Sequence, residues 1–144
     1  MDEATRLNIE QSCARCSISY GVAVDGKDYD SFADQFSEDA ILELGPTKVQ
    51  GRSEIRDFIT KRPDDAVSKH VFTNILIDVE SDNSASGVTY LVLYKGQSPN
   101  GNPITSIPNP ALVGHYEDHF VRTGDGWKIA SRKLQMAFVD PTQF

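Results

Sequence analysis

"ALVGHYEDHFVRTGDGWKIASRKLQMAFV", residues 111–139, decides the fold class. Two long runs rich in β-branched and aromatic residues flank Gly124-Asp125-Gly126, a strong hairpin signal because glycines supply the positive φ that tight turns require. Alternation in the first run places Gly114, Tyr116, Asp118 and Phe120 on one face and His115, Glu117 and His119 on the other. A second hairpin precedes it. "KHVFTNILIDVE" (69–80) runs through a Ser/Asp/Asn-rich turn into "GVTYLVLYKG" (87–96).

The chain before residue 68 reads differently. Residues 2–24 have helical periodicity, with Leu7, Ile9, Cys13, Cys16 and Tyr20 on the apolar side and Gly26 as a stop. Asp28 is placed to cap a short helix over 29–36, with Asp30 in its favourable acidic first turn. Short strands follow at 39–45 and 49–51. A third helix over 54–61, capped by Ser53 and ended by Pro63, turns Ile55, Phe58 and Ile59 inward. Helices at one end of the chain and long antiparallel strands at the other define an α+β fold, expected as one domain over residues 1–144. The helices would cover the concave face of the sheet and leave a pocket at its open end. Between the hairpins, the Gly- and Pro-rich segment 96–110 is long for a connector and is expected to shape that pocket.

Bulk composition excludes several function classes. A net charge of −7 disfavours nucleic acid and anionic membrane as partners. No apolar run is long enough to span a bilayer and the first residues are no basic leader, so the expected compartment is the cytoplasm. The Cys13-Ala-Arg-Cys16 motif has no second pair, and Ile9, Cys13, Cys16 and Tyr20 share a helix face, so both cysteines read as small buried apolar residues. His115 and His119 lie well apart on a strand and read as solvated or interface groups; no metal site is expected.

Two residues resist a purely structural reading. Asp25 follows Gly21-Val22-Ala23-Val24 at the buried end of the first helix, where a carboxylate needs a partner. Arg132 shares a strand face with Leu134 and Met136. An arginine there needs an anion, either a carboxylate of the protein or one developing on a substrate, unless a bulge turns it out to solvent. His70 begins the first long strand, with Phe72 and Asn74 on its face by alternation.

The ordered set "YGVAVDGKDYDSFADQFSEDA", "VQGRSEIRDFI", "KHVFTNILIDV" and "GHYEDHFVRTGDGWKIASRKLQM" resembles the SnoaL-like branch of the NTF2-like superfamily, the cone-shaped α+β barrels. The similar enzymes are scytalone dehydratase, bile-acid 7α-dehydratase and hexachlorocyclohexane dehydrochlorinase. The resemblance implies elimination chemistry without metal or organic cofactor, on a small cyclic substrate, in a homo-oligomer with trimer favoured over dimer. It implies a catalytic set of His70, Asp25, Tyr20 and Arg132. Phe36, Phe58, Phe72, Asn74, Tyr90 and Met136 are the residues expected to line the pocket. Segment 96–110 carries no family motif.

The residue types suit that chemistry. Asp25 would fix the tautomer of His70, whose other ring nitrogen serves as general base. Tyr20 would donate to a carbonyl or departing hydroxyl, and Arg132 would stabilise developing negative charge. A dehydratase-type lyase is the leading reading. A ketosteroid-isomerase-like isomerase could run on the same groups. A non-catalytic ligand-binding or assembly subunit is the alternative from another class, since fold does not fix function.

Overall fold

The computed structural model describes residues 1–107 and 109–144. Helix α1 (Glu3–Asp25) starts where the Asp2 side chain accepts from the Thr5 backbone N–H. α2 (Tyr29–Asp34) is capped in the same way by Asp28 on Ser31. It ends two residues earlier than its composition suggests, because Phe36 already opens strand β1 (Phe36–Leu44). After β2 (Thr47–Gln50), α3 (Arg52–Thr60) begins at Gly51 and not at Ser53. Gly51 has φ 95°, a conformation that glycine tolerates at this abrupt strand-to-helix corner. The long strands are β3 (Ala66–Val79), β4 (Ser84–Gln97), β5 (Leu112–Thr123) and β6 (Gly126–Val139).

All six strands form one sheet in the order β2-β1-β6-β5-β4-β3, antiparallel except for the parallel β1–β6 pair. The helices cover one face, giving the α+β cone that the resemblance implies. Its core runs from Ile9, Cys13, Cys16 and Tyr20 on α1 to Phe32, Leu42, Leu91, Tyr116, Phe120 and Ile129. Leu7 lies on the outer side of α1, 49 % exposed, so the apolar stripe begins at Ile9. The cysteines fit their bland reading: both are buried and free, Cys16 donates to the Trp127 carbonyl, and burial pushes the Cys13 thiol up to about 12. Among the described residues no helix is long and apolar enough to cross a membrane.

Bulges decide which side chains face the cone. In β3 the pairing register with β4 shifts between Phe72 and Ile75. His70 and Phe72 therefore point inward on even numbers, whereas Ile77 points inward on an odd one, and Asn74 is left exposed on the outside. Simple alternation wrongly assigned Asn74 to the pocket. Tyr90 is a second correction: Ala85, Thr89 and Leu91 are the inward residues of β4, and Tyr90 stands on the outer face, 51 % exposed, beside the His115 ring. In β6 the register with β5 shifts between the Phe120–Ile129 and His119–Ser131 pairs. The extra residue brings Arg132 and Leu134 into the interior on the same side as Ile129. Arg132 thus faces inward, where it needs an anion, and the bulge that was the alternative route to solvent carries the side chain inward instead.

Candidate active site

The end of α1 and the start of β3 meet because Gly21 has no side chain. A Cβ there would sit 3.0 Å from the Phe72 ring, so glycine permits this close approach. One turn later Asp25 reaches His70. Asp25 Oδ1 accepts from His70 Nδ1 at 2.7 Å and from Ser68 Oγ at 2.8 Å, while Oδ2 accepts from the His70 backbone N–H at 2.8 Å. A carboxylate can only accept, so Nδ1 carries the proton and Nε2 of the neutral ring is an acceptor. Burial pushes the Asp25 carboxyl upward. The bonds from His70 and Ser68 outweigh that and hold it below the usual aspartate range. Arg62 extends the chain, donating from Nη2 to Ser68 Oγ at 2.9 Å and from Nη1 to the Val24 carbonyl at 3.0 Å.

His70 lines a largely apolar cavity of about 610 Å³, together with Tyr20, Leu91, Leu112, Tyr116 and Leu134. Phe58 and Met136 line it as expected. Phe36 does not: it is wholly buried and packs edge-on beneath Tyr20, with ring centroids 6.0 Å apart. Phe72, also expected in the lining, is not part of it: it stands edge-on to both His70 and Tyr116, with ring centroids 6.3 and 6.0 Å away. The described residues of segment 96–110 do not line the cavity. Its described part folds back along β4, with Thr105 donating to the Gln97 carbonyl at 2.8 Å. The rim is built instead by Arg62, Lys95, Val139 and Phe144. Burial and the neighbouring Arg62 hold the Lys95 amine below the usual lysine range.

Arg132 finds its anion within the protein. Nε and Nη2 donate to the two carboxylate oxygens of Asp118 at 2.7 and 2.9 Å, and both side chains are wholly buried. Ser17 accepts a further bond from Nη2, and Thr89 donates to Asp118. The guanidinium lies between two aromatic faces, 4.5 Å from the Tyr20 ring centroid and 4.2 Å from that of Tyr116. Arg132 therefore stands behind the cavity wall and is not part of its lining. Tyr20 does line the cavity, and its hydroxyl lies 3.4 Å from that of Tyr116.

Ser68, Arg62, Tyr116, Asp118, Ser17 and Thr89 escaped sequence reasoning. Only Tyr116 and Asp118 had a legible signal, since they share the apolar face of β5 with Phe120. Among the described residues, no three or more His, Cys, Asp or Glu side chains converge in a metal-binding arrangement. His115 and His119 face outward.

Comparison with known proteins places the chain in a family. A family model for the SnoaL-like domain matches residues 4–133. The chain belongs to the SnoaL-like domain family. Among solved structures, a protein from Novosphingobium aromaticivorans provisionally named a scytalone dehydratase is 20 % identical. It aligns with a TM-score of 0.84 over 96 % of this chain and 91 % of that one. The type-3 hexachlorocyclohexane dehydrochlorinase from Novosphingobium barchaimii is 15 % identical, with a TM-score of 0.79 over 96 % and 93 % of the two chains. A protein of unknown function from Mycobacterium tuberculosis is 19 % identical, with a TM-score of 0.78 over 98 % and 79 %. At these identities the likeness is one of fold. A comparison with curated proteins found no significant match.

Proposed function

We propose that this SnoaL-like protein is a cofactor-independent lyase that eliminates water, or another leaving group, from a small cyclic substrate, with His70 as general base. One observation carries the reading: His70 is locked on Asp25 through Nδ1 and lines an apolar cavity of about 610 Å³ with Nε2 free to accept. A base so positioned typically contributes about 10²–10⁴-fold. The substrate's acidic C–H would meet Nε2. The electron pair moves to form the new double bond as the leaving group departs, assisted by Tyr20. Exclusion of water by Leu91, Leu112 and Leu134 strengthens each polar interaction in the cavity. Fold neighbours that include a dehydrochlorinase support the reaction class.

Arg132 enters this scheme behind the two tyrosines. Its charge, fixed by Asp118, would favour negative charge developing at their hydroxyls without touching the substrate. Incubation with a panel of cyclic hydroxy-ketones, followed by mass spectrometry, tests the reading. Loss of water from at least one member, abolished in His70→Ala, is the expected result. Return of the abstracted proton to another carbon, without loss of a group, would make the protein an isomerase on the same dyad.

The outer sheet face presents Val71, Leu76, Tyr90 and Phe138, each at least 41 % exposed. We propose that it packs in a homo-oligomer, with a trimer favoured. Light scattering that gives a monomer at working concentration would refute this.

A further inference from the structure

The hydrogen-bond inventory at the cavity floor does not balance. Tyr20 and Tyr116 each carry one O–H donor, and each hydroxyl has the other as its sole protein partner among the described residues. A mutual bond consumes one hydrogen and leaves the second without an acceptor. Even that bond is loose: 3.4 Å is well beyond the usual O–H···O distance of about 2.7–2.8 Å. Both rings are at most 2 % exposed, yet both line the cavity. Two hydroxyls at this spacing can each reach a third oxygen placed about 2.7 Å from both. Burial pushes both phenols above the usual tyrosine range, so each keeps its proton and remains a donor. Behind them lies the Arg132 guanidinium, in contact with both ring faces.

We propose that Tyr116 is a second catalytic hydrogen-bond donor, and that with Tyr20 it forms a two-hydroxyl cradle for a single ligand oxygen on which negative charge develops. This deepens the lyase reading and rests on it. The preferred substrate then carries a carbonyl whose oxygen becomes enolate-like as the proton leaves for His70. A halogen at that position would accept poorly from both donors. Leu91, Leu112 and Leu134 line the same cavity, and of its other polar lining residues Ser68 is engaged with Asp25 and Arg62 with Ser68.

The probe for the test is 4-nitrophenolate, a stable oxyanion, and its binding can be followed by absorption without any turnover. Wild-type protein is expected to bind it at least 10-fold more tightly than 4-chloronitrobenzene, which replaces the oxygen by chlorine. Tyr116→Phe and Tyr20→Phe should each weaken phenolate binding by roughly 10- to 100-fold, as expected for losing a hydrogen bond to a charged acceptor. Neither substitution should change affinity for the chloro compound. Unchanged phenolate affinity in Tyr116→Phe would make Tyr116 a packing residue and overturn the proposal. The wild-type comparison keeps the test decisive if the variant fails to fold, because equal affinity for the two probes overturns it as well. Phenolate binding needs no proton abstraction and so does not depend on His70 acting as a base. Loss of the lyase reading alone would leave the phenolate preference in place.

Discussion

Substituting Asp118 by Asn separates what Arg132 does for the fold from what it does for chemistry. Asp118 supplies both oxygens that Arg132 Nε and Nη2 contact, and neither side chain is exposed. Asparagine keeps one acceptor oxygen but no charge, leaving the guanidinium buried without a counter-ion, with that oxygen, Ser17 and two ring faces around it. Removing one partner of a buried ion pair costs about 3–5 kcal/mol. For a chain of this size that corresponds to a fall in Tm of roughly 10–15 °C, at about 3 °C per kcal/mol. In urea, with a slope near 2 kcal/mol/M, the midpoint should fall by about 2 M. The double variant Asp118→Leu/Arg132→Met removes both charges and should recover most of the loss, because it leaves no uncompensated charge. It should still turn over substrate at least 10-fold more slowly, since the tyrosines have lost their cation. A Tm for Asp118→Asn within about 2 °C of wild type would refute the reasoning, as would strictly additive losses in the double variant.

Other outcomes follow from the dyad. His70→Ala and Asp25→Asn should each lower turnover by about 10²–10⁴-fold with circular dichroism unchanged, whereas His119→Ala, on the outer face, should have no effect. Ser68→Ala removes a donor from Asp25 and leaves Arg62 Nη2 without its acceptor; a loss of about 1–2 kcal/mol in urea unfolding is expected, with a several-fold fall in turnover. Asp25 has a folded-state pKa below its unfolded value. In that window the unfolded chain binds more protons, so its contribution is complete above the ordinary aspartate range and is lost as pH falls through the depressed value. Asp25→Asn should therefore flatten the acid limb of the stability–pH curve. Dialysis against a chelator should leave activity intact; its abolition and restoration by a divalent metal would contradict cofactor independence.

How much of this was legible in the sequence depended on locality. Helix starts at Asp2 and Asp28, the Gly124-Asp125 turn and the run of long strands are local signals, and the structure places them within about three residues of their expected positions. The corner at Gly51 was missed because Ser53 is an ordinary capping residue and the geometry there is set by β1, whose Ala40 carbonyl accepts from Gly51 N–H. Asn74 was given the wrong face because a bulge intervenes in β3, whereas Tyr90 was misplaced in a stretch whose pairing with β5 is regular. The bulge is written in β3 as a change of parity, from His70 and Phe72 to Ile75, Ile77 and Val79. Reading each strand as one unbroken alternation hid it. The approach of Asp25 to His70 spans 45 residues and came from resemblance to a family. The Asp118–Arg132 pair is a cross-strand contact whose register moves by one residue at the β5–β6 bulge, beyond what the turn alone specifies.

The measurement that bears most directly on the central claim is deuterium exchange at carbon, followed by proton NMR, for cyclic ketones incubated with the protein in D₂O. It reads proton abstraction in the cavity whatever group later departs. Protein-catalysed exchange of the α-proton is expected in at least one ketone of the panel, reduced by at least 100-fold in His70→Ala and in Asp25→Asn. Equal exchange in His70→Ala and wild type, or none above buffer in wild type for every ketone tried, would contradict it.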